Sequence, residues 1–251
     1  MSIRIQEDFP FVVLTLSSSN RRNLLDLHTM EELCSALREY ENDERCEVMI
    51  VTGNEEYFCF GGDLGEPSQR SVEGISAFSA ALCRVHRSFV GFPKILIAAV
   101  SGKTGGGGVS LVDACDLAVV SADATFEFPE LHNHSAPMIS LVGVRNSLPK
   151  KLCYEMMLAR PIPASRLLEL GIANRIADSG DIVEAAKSFW REIPPCNLKA
   201  LSLCKQYYMA TQGMDYSRQL EFGRHYLTSL LFGVSVSYTH LRAHETVLDL
   251  V

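Results

Sequence analysis

Four consecutive glycines, residues 105–108, constrain this chain more than any other feature of its sequence. They follow the apolar run Ile95–Val100 and lie within the segment SGKTGGGGVSL, residues 101–111. Glycine loses more conformational freedom on folding than any other residue, so four ordered glycines in a row are costly. The run therefore predicts a place where bare backbone must approach another group closely.

Apolar runs and helical periodicity alternate through the first half of the chain. Short β-branched and apolar runs predict strands, and apolar residues spaced three or four apart predict helices. The predicted strands are 11–16, 46–52, 95–100 and 117–120, and the predicted helices among them are 24–40, 73–90 and 109–114. From about residue 139 the pattern is mainly helical, with helices over 148–158, 164–170, 182–193, 197–211 and 216–231 and a strand over 172–176. Strands that alternate with helices predict an α/β fold.

Four interpretations compete for the glycine run. A phosphate-binding loop of the Walker type would require glycine at position 97, which is Ile97. A dinucleotide-binding fingerprint matches only loosely, as any glycine run does. Close packing of a strand against a helix would rarely need four glycines. The fourth interpretation is an oxyanion hole, in which unpaired N–H groups at a helix N-terminus stabilise a developing negative charge.

An oxyanion hole needs a second donor, and a second glycine-rich turn is present. The segment FCFGGDLGE, residues 58–66, also directly follows a buried strand and a turn. Two strands that each end in a glycine-rich turn can place two N–H groups around one oxygen. The pair of turns therefore favours the oxyanion-hole interpretation.

Three segments occur in an order that is typical of one enzyme family. FCFGGDLGE is similar to F-x-A-G-A-D-[IL]-x-E, and residues 93–131 are similar to P-K-P-V-I-A-A-V-x-G-x-x-x-G-G-G followed by C-D and F-x-x-P-E. Residues 161–178 are similar to P-I-S-A-x-E-A-x-x-x-G-L-V-N-x-V. All three patterns are those of the crotonase (enoyl-CoA hydratase/isomerase) superfamily. The resemblance extends from about residue 11 to residue 230.

The resemblance implies a crotonase-like spiral of ββα units with a helical C-terminal region. It divides the chain into an α/β core over 1–195, a helical trimerisation region over 196–235 and an atypical tail over 236–251. It also implies assembly as a homotrimer or a homohexamer. The tail departs from the family's usual ending and resembles read-through of foreign sequence, so we expect it to pack poorly and to impair trimer contacts.

The resemblance also implies an acyl-CoA substrate, with coenzyme A as part of the thioester and no other cofactor. The family's two oxyanion donors, which contact the thioester, correspond to the N–H groups of Gly62 and Gly107. The residues that correspond to the lining of its thioester pocket are Asp63, Leu64 and Gly65. Arg21 and Arg22 lie near where relatives contact the CoA phosphates, and a solvated turn is the alternative for these arginines.

Hydratases of this family use two glutamates, and this chain matches one of them. The matching residue is Glu130, which follows Pro129, whereas Ser110 occupies the position of the other. A neutral hydroxyl has no basicity to offer near pH 7. A single glutamate beside an oxyanion hole can take a proton from C2 of a 3-enoyl thioester and return it to C4. The family's isomerases rely on the glutamate at the Glu130 position.

Two residues are candidates for the missing acid or base. Asp113 lies one helical turn from Ser110 and could face the same way. His132 follows Glu130 and could relay protons at neutral pH, as could His134. For the histidines, an exposed position in a loop is the alternative.

Charge, apolar content and cysteine spacing bear on other classes of function. The net charge of −7 argues against broad binding of nucleic acid. The apolar runs are much shorter than the roughly 20 residues that a membrane span requires. Eight cysteines without a CxxC pair, together with an N-terminus that has no apolar signal region, predict reduced thiols in the cytoplasm. His240 and His244 have the spacing of a helical metal pair without an evident third ligand, so we expect no metal site.

The sequence predicts a cytoplasmic acyl-CoA enzyme and leaves three functions open. The leading one is an enoyl-CoA isomerase with Glu130 as proton shuttle. The second is an enoyl-CoA hydratase in which Asp113 or a histidine supplies the second group. The third is a non-catalytic acyl-CoA-binding protein or scaffold, which a bulky helical side chain over Gly107 would favour.

Overall fold

The chain folds into two compact units. The parts that the computed structural model describes are residues 2–18, 22–178 and 180–232. The first unit ends at Pro194 and the second begins at Pro195. Arg21, His240, His244 and the tail over 236–251 lie outside the described residues. Within the described part, no helix is both long enough and apolar enough to cross a membrane.

The first unit contains two sheets and seven helices among its described residues. The strands are β1 (Ile3–Asp8), β2 (Phe11–Leu16), β3 (Val48–Thr52), β4 (Tyr57–Cys59), β5 (Ile95–Val100), β6 (Lys103–Gly105), β7 (Leu117–Ser121), β8 (Thr125–Glu127), β9 (Ile162–Pro163) and β10 (Arg175–Ala177). The helices are α1 (Leu27–Tyr40), α2 (Val72–Gly91), α3 (Gly107–Ala114), α4 (Leu141–Ser147), α5 (Lys150–Met157), α6 (Ala164–Glu169) and α7 (Ile182–Arg191).

The larger sheet has the strand order β1-β2-β3-β5-β7-β10. Its first pair is antiparallel and all its other pairs are parallel. Every residue of β3 and of β5 is buried. Strands that are buried on both faces have continuous apolar sequences, which explains why the central strands could be predicted from their apolar runs.

The smaller sheet explains the position of the glycine-rich turns. Its order is β4-β6-β8-β9, and its first two pairs are parallel. Three consecutive strand pairs, β3-β4, β5-β6 and β7-β8, each place their first strand in the larger sheet and their second in the smaller one. The helices α2, α3 and α4 follow these three pairs, so the repetition is the predicted spiral of ββα units, and the α/β crotonase-like class is confirmed. Because β4, β6 and β8 run parallel, their C-terminal ends lie at one edge.

The segment before α1 differs from the prediction. A helix was expected from residue 24, but α1 begins at Leu27 after Asp26, whose side chain accepts a hydrogen bond from the Thr29 N–H. Leu25 is instead extended and forms a parallel bridge with Gly62. Helical spacing of leucines cannot show that the first of them is held by a distant turn.

Several short elements were not predicted: the strands β1, β4, β6, β8 and β9 and the helix α4. β1 has few apolar residues because most of it is exposed. β6 consists of the residues KTG, which the sequence suggested were a turn, and it pairs on both sides within the smaller sheet. α4 was part of a region predicted only as generally helical. Short elements of this kind contain too few residues for a periodic pattern.

The second unit contains α8 (Leu198–Ala210) and α9 (Tyr216–Phe232). Asn197 caps α8 by accepting a hydrogen bond from the Ala200 N–H. The rings of Tyr207 and Tyr226 meet edge to face, with centroids 5.9 Å apart. The Tyr207 hydroxyl donates a hydrogen bond to the Gln219 carbonyl at 3.0 Å. These contacts join the two helices into a hairpin.

The start of α3 packs directly on the backbone at the end of β4. A Cβ atom added to Gly108 would overlap the carbonyl oxygen of Cys59. Because the obstacle is backbone, it cannot move aside as a flexible side chain could. Gly108 therefore sets how closely α3 approaches the smaller sheet.

Replacing Gly108 with alanine is expected to destabilise the protein by about 2 kcal/mol or more, since the methyl group must displace backbone. The measurement is urea denaturation. Gly91→Ala is the matched control, because a Cβ atom there meets nothing within 4 Å and the φ angle is not positive. The control should be neutral or up to about 1 kcal/mol more stable. Equal stability of the two variants would show that the close approach is unimportant.

Candidate active site

The two glycine-rich turns lie side by side. Gly61 and Gly62 follow β4, and Gly106 and Gly107 connect β6 to α3. A Cβ atom added to Gly61 would lie 3.7 Å from the Gly107 nitrogen, and one added to Gly106 would lie 3.3 Å from the Gly61 Cα. The predicted meeting of the two turns is therefore present in the fold.

Gly62 and Gly107 each have a backbone N–H group without a partner among the described residues. The Leu25 N–H donates to the Gly61 carbonyl, and the Leu25 carbonyl accepts from the Asp63 N–H, both at 2.9 Å. Leu25 therefore bonds to the residues on either side of Gly62 and leaves the Gly62 N–H without an acceptor in the described part of the chain. Gly107 is the first residue of α3, and the first N–H groups of a helix have no acceptor within it. Two neighbouring backbone donors thus have no acceptor among the described residues.

The space available for a side chain differs among the four glycines of the run. At Gly105 an added Cβ atom would lie 2.9 Å from the Phe60 ring, and at Gly108 it would overlap backbone. At Gly106 it would overlap Glu130, and the φ angle is +51°. At Gly107 the nearest atom is Leu25 Cδ1 at 3.6 Å, which is ordinary contact. Packing thus explains the other three, but not Gly107.

Glu130 lies against the second turn. It opens a single 3-10 turn, Glu130–Asn133, that follows β8, and its Oε1 lies where a side chain on Gly106 would be. Its Oε2 is buried without a hydrogen-bond partner among the described residues. Burial, and secondarily the negative charge of Glu127, raise the pKa of Glu130 from its ordinary 4.5 to about 7. The carboxyl group can therefore both accept and release a proton near neutral pH.

Ser110 has a partner that the sequence did not reveal. Its Oγ donates to the Gly107 carbonyl at 2.9 Å and lies 3.0 Å from Nε2 of His86. Burial lowers the pKa of His86 to about 4, so its imidazole is neutral near pH 7. His86 follows Leu82 by four residues and precedes Phe89 by three, and both of these are buried. That spacing could have identified His86 from the sequence, because it puts the histidine on the core side of α2.

Asp113 packs against a neighbouring helix, and His132 lies in an exposed turn. Asp113 faces α4, where its Oδ2 lies where a side chain on Gly143 would be. Burial raises its pKa, and a hydrogen bond from Ser147 opposes the shift. Asp113 and Ser110 therefore contact different helices, contrary to the expectation from helical spacing. His132 is exposed in the 3-10 turn beside Glu127.

The predicted pocket-lining residues form a turn beyond Gly62. Asp63 and Gly65 are exposed, Leu64 is partly buried, and Asp63 Oδ1 accepts from the Gly65 N–H at 3.0 Å. Arg22 is exposed, and its carbonyl accepts from the Phe60 N–H at 3.0 Å, which brings its backbone beside this turn. These residues are thus adjacent to the paired glycines and accessible to a ligand.

Phe78 from α2 covers the side of Gly62 that a side chain would occupy. A Cβ atom added to Gly62 would overlap the Phe78 ring. No helical side chain is among the nearest atoms at Gly107. Among the described residues there is also no group of three histidine, cysteine or acidic side chains placed to hold a metal ion.

Comparison with known proteins identifies the family. The family model for enoyl-CoA hydratase/isomerase matches residues 10–234. The chain belongs to this enzyme family. A "putative enoyl-CoA hydratase" of Thermus thermophilus is 30% identical over 207 residues, covering 80% of this chain and 81% of that protein. The "short-chain-enoyl-CoA hydratase" of Clostridium acetobutylicum is 26% identical, covering 88% and 86% respectively.

The fold agrees with this assignment. The structure of an enoyl-CoA hydratase from Mycobacterium smegmatis superposes with a TM-score of 0.86 at 20% identity, and the match covers 99% of this chain and 96% of that one. The resemblance seen in the glycine-rich segments is confirmed. The Thermus and Clostridium relatives are both named as hydratases, and neither name specifies an isomerase.

Glu130→Gln is expected to stabilise the protein at pH 8 but not at pH 4.5. The folded state holds the Glu130 proton up to about pH 7, whereas an unfolded chain releases it near 4.5. Ionising this buried group therefore lowers stability as the pH rises through that window, by up to about 3 kcal/mol. Glutamine has no charge to bury and removes this loss.

The measurement is urea denaturation of both proteins at pH 4.5 and pH 8. Glu39→Gln is the control, because Glu39 is exposed on α1 and should show the same small effect at both pH values. A stability difference for Glu130→Gln that does not change with pH would contradict the raised pKa.

Proposed function

We propose that this protein binds an acyl-CoA thioester and stabilises its enolate at the Gly62 and Gly107 N–H groups, with Glu130 transferring the proton. The observation that supports this most is the buried Glu130 carboxyl, with a pKa of about 7, beside two unpaired backbone donors. Donors already in place for a developing negative charge lower the barrier by roughly 3–4 kcal/mol each. Family membership makes the thioester the expected substrate.

Double-bond isomerisation is the first candidate reaction. Ionised Glu130 takes a proton from C2 of a 3-enoyl thioester, and the electron pair moves to the thioester oxygen between the two N–H groups. The enolate then collapses as Glu130 returns the proton to C4, which leaves the double bond between C2 and C3. One carboxyl group is sufficient for both transfers because it begins and ends ionised.

Substrate binding extends the proposal to neighbouring residues. Asp63, Leu64 and Gly65 line the thioester end, and Arg22 contacts the CoA phosphates. The chemistry transfers protons only, so coenzyme A within the substrate is the only cofactor it requires. The proposal includes assembly as a homotrimer or homohexamer and a cytoplasmic location.

Hydration of a 2-enoyl thioester is the second candidate. The relatives named as hydratases favour it. It requires a second group that activates water, and Ser110 stands where the family's other glutamate is expected. In this reaction Glu130 begins protonated and delivers its proton to C2.

Binding of acyl-CoA without turnover is the remaining alternative. The Phe78 ring against Gly62 is the observation that favours it, because the ring fills space beside one proposed donor. Binding to acyl-CoA together with no turnover across saturated, 2-enoyl and 3-enoyl thioesters would support this alternative and contradict the enolate chemistry.

The two catalytic candidates predict opposite pH profiles. Isomerisation begins with ionised Glu130, so kcat/KM for a 3-enoyl-CoA should rise with pH and level off above about 7. Hydration begins with protonated Glu130, so kcat/KM for a 2-enoyl-CoA should fall as the pH rises above about 7. Both substrates are assayed from pH 5.5 to 9. Profiles that are flat across pH 7 would show that Glu130 is not the titrating group.

Glu130→Gln should lower kcat for both substrates by roughly 10²- to 10⁴-fold, because glutamine cannot transfer a proton. The exposed Glu39→Gln variant is the matched control and should retain wild-type rates. Turnover by Glu130→Gln at the wild-type rate would exclude Glu130 as the acid–base group.

A further inference from the structure

His86 and Ser110 form a hydrogen-bonded pair at the edge of the candidate site. Ser110 Oγ and His86 Nε2 are 3.0 Å apart, although the residues are separated by 24 positions in the chain. Ser110 is buried with 3% exposure, and His86 is partly buried on α2. A hydroxyl bonded to an imidazole is an arrangement through which the hydroxyl can lose its proton.

The pair and Glu130 contact neighbouring glycines of the second turn. Ser110 Oγ donates to the carbonyl of Gly107, the residue whose N–H group is one of the proposed donors. Glu130 Oε1 packs on Gly106, the preceding residue. The Glu130 carboxyl and the Ser110–His86 pair thus lie against two consecutive residues, Gly106 and Gly107. Asp113, the other titratable side chain of α3, faces α4 instead.

A purely structural role does not require the histidine. A serine in a helix can satisfy its hydroxyl by bonding to a carbonyl in the preceding turn, as Ser110 does with Gly107. His86 lies on a helix face whose neighbours Leu82, Val85 and Phe89 are buried and apolar. An apolar side chain would suit that face without the cost of burying a titratable ring. Burial keeps the imidazole neutral near pH 7, so one of its ring nitrogens carries no hydrogen.

We propose that Ser110 and His86 are the second acid–base unit of this site and activate water for addition to C3 of a 2-enoyl thioester. Ser110 contacts the water, and His86 is a positioning and proton-accepting residue that acts through Ser110. The inference rests on the proposed enolate site and supplies the group that hydration otherwise lacks. It gives the site a hydratase activity alongside the isomerisation that Glu130 alone performs.

The step balances without any further reactant. In the tautomer of His86 that carries its hydrogen on Nδ1, the Ser110 hydroxyl turns from the Gly107 carbonyl to Nε2 and transfers its proton to that nitrogen, while Ser110 Oγ takes a proton from water. The resulting hydroxide bonds to C3, and the π electrons move to the thioester oxygen. Protonated Glu130 then delivers its proton to C2, forming the 3-hydroxyacyl thioester. Exchange with solvent returns a proton to Glu130 and removes one from His86.

The test compares hydration with isomerisation in His86→Gln. Glutamine can keep a hydrogen bond to Ser110 but cannot accept a proton, so it separates a structural role from proton transfer. We expect kcat for 2-enoyl-CoA hydration to fall roughly 10²-fold or more, with KM nearly unchanged. Isomerisation of 3-enoyl-CoA should keep its wild-type kcat. His28→Gln, at an exposed position on α1, is the matched control and should affect neither.

Ser110→Ala and the double variant provide a second readout. If the two residues act as one unit, each single variant should lose about as much hydration as the double variant does. Losses that simply multiply would overturn the relay, as would equal losses of hydration and isomerisation in His86→Gln. Isomerisation without any hydration by the wild-type protein would overturn the relay and leave the proposed function intact. No turnover of either thioester would overturn the proposed function itself.

Discussion

The contact between the start of α3 and the end of β4 is the constraint on which the rest of the site depends. Gly108 allows the helix to lie directly on the Cys59 carbonyl, with no side chain between them. That approach brings Gly107 beside Gly61 and so puts two unpaired N–H groups into one small region. Parallel pairing of β4 with β6 supplies the common edge from which both turns emerge. The site is therefore made chiefly of backbone, and its shape follows from how closely two elements can pack.

Burial of Glu130 prepares its carboxyl group for proton transfer near neutral pH at the expense of stability. The carboxyl group has a buried oxygen without a partner among the described residues, and its pKa of about 7 reflects that environment. A salt bridge would have lowered the pKa and fixed the group in its ionised form. A group poised near neutral pH can transfer a proton in either direction, which is what enolate chemistry requires.

One helix, α2, contacts the site at two places. Near its N-terminal half it places Phe78 against Gly62, and a little more than two turns later it places His86 against Ser110. The first contact lies beside one proposed oxyanion donor, and the second joins an imidazole to a buried hydroxyl. Movement of this single helix would therefore change both contacts together, which links the two otherwise separate features.

The sequence by itself determined the α/β class and the central strands, because long apolar runs are local signals of buried strands. The two glycine clusters indicated two places of close approach, and the fold then showed that these places meet. The sequence also indicated Glu130, through the order of motifs. Only the tertiary structure showed that His86 meets Ser110, that Asp113 turns to α4, and that Leu25 leaves its helix to hold the turn at Gly62. These are contacts between residues far apart in the chain. Local periodicity reports which face of an element is buried, but the partner on that face is decided by how the elements pack.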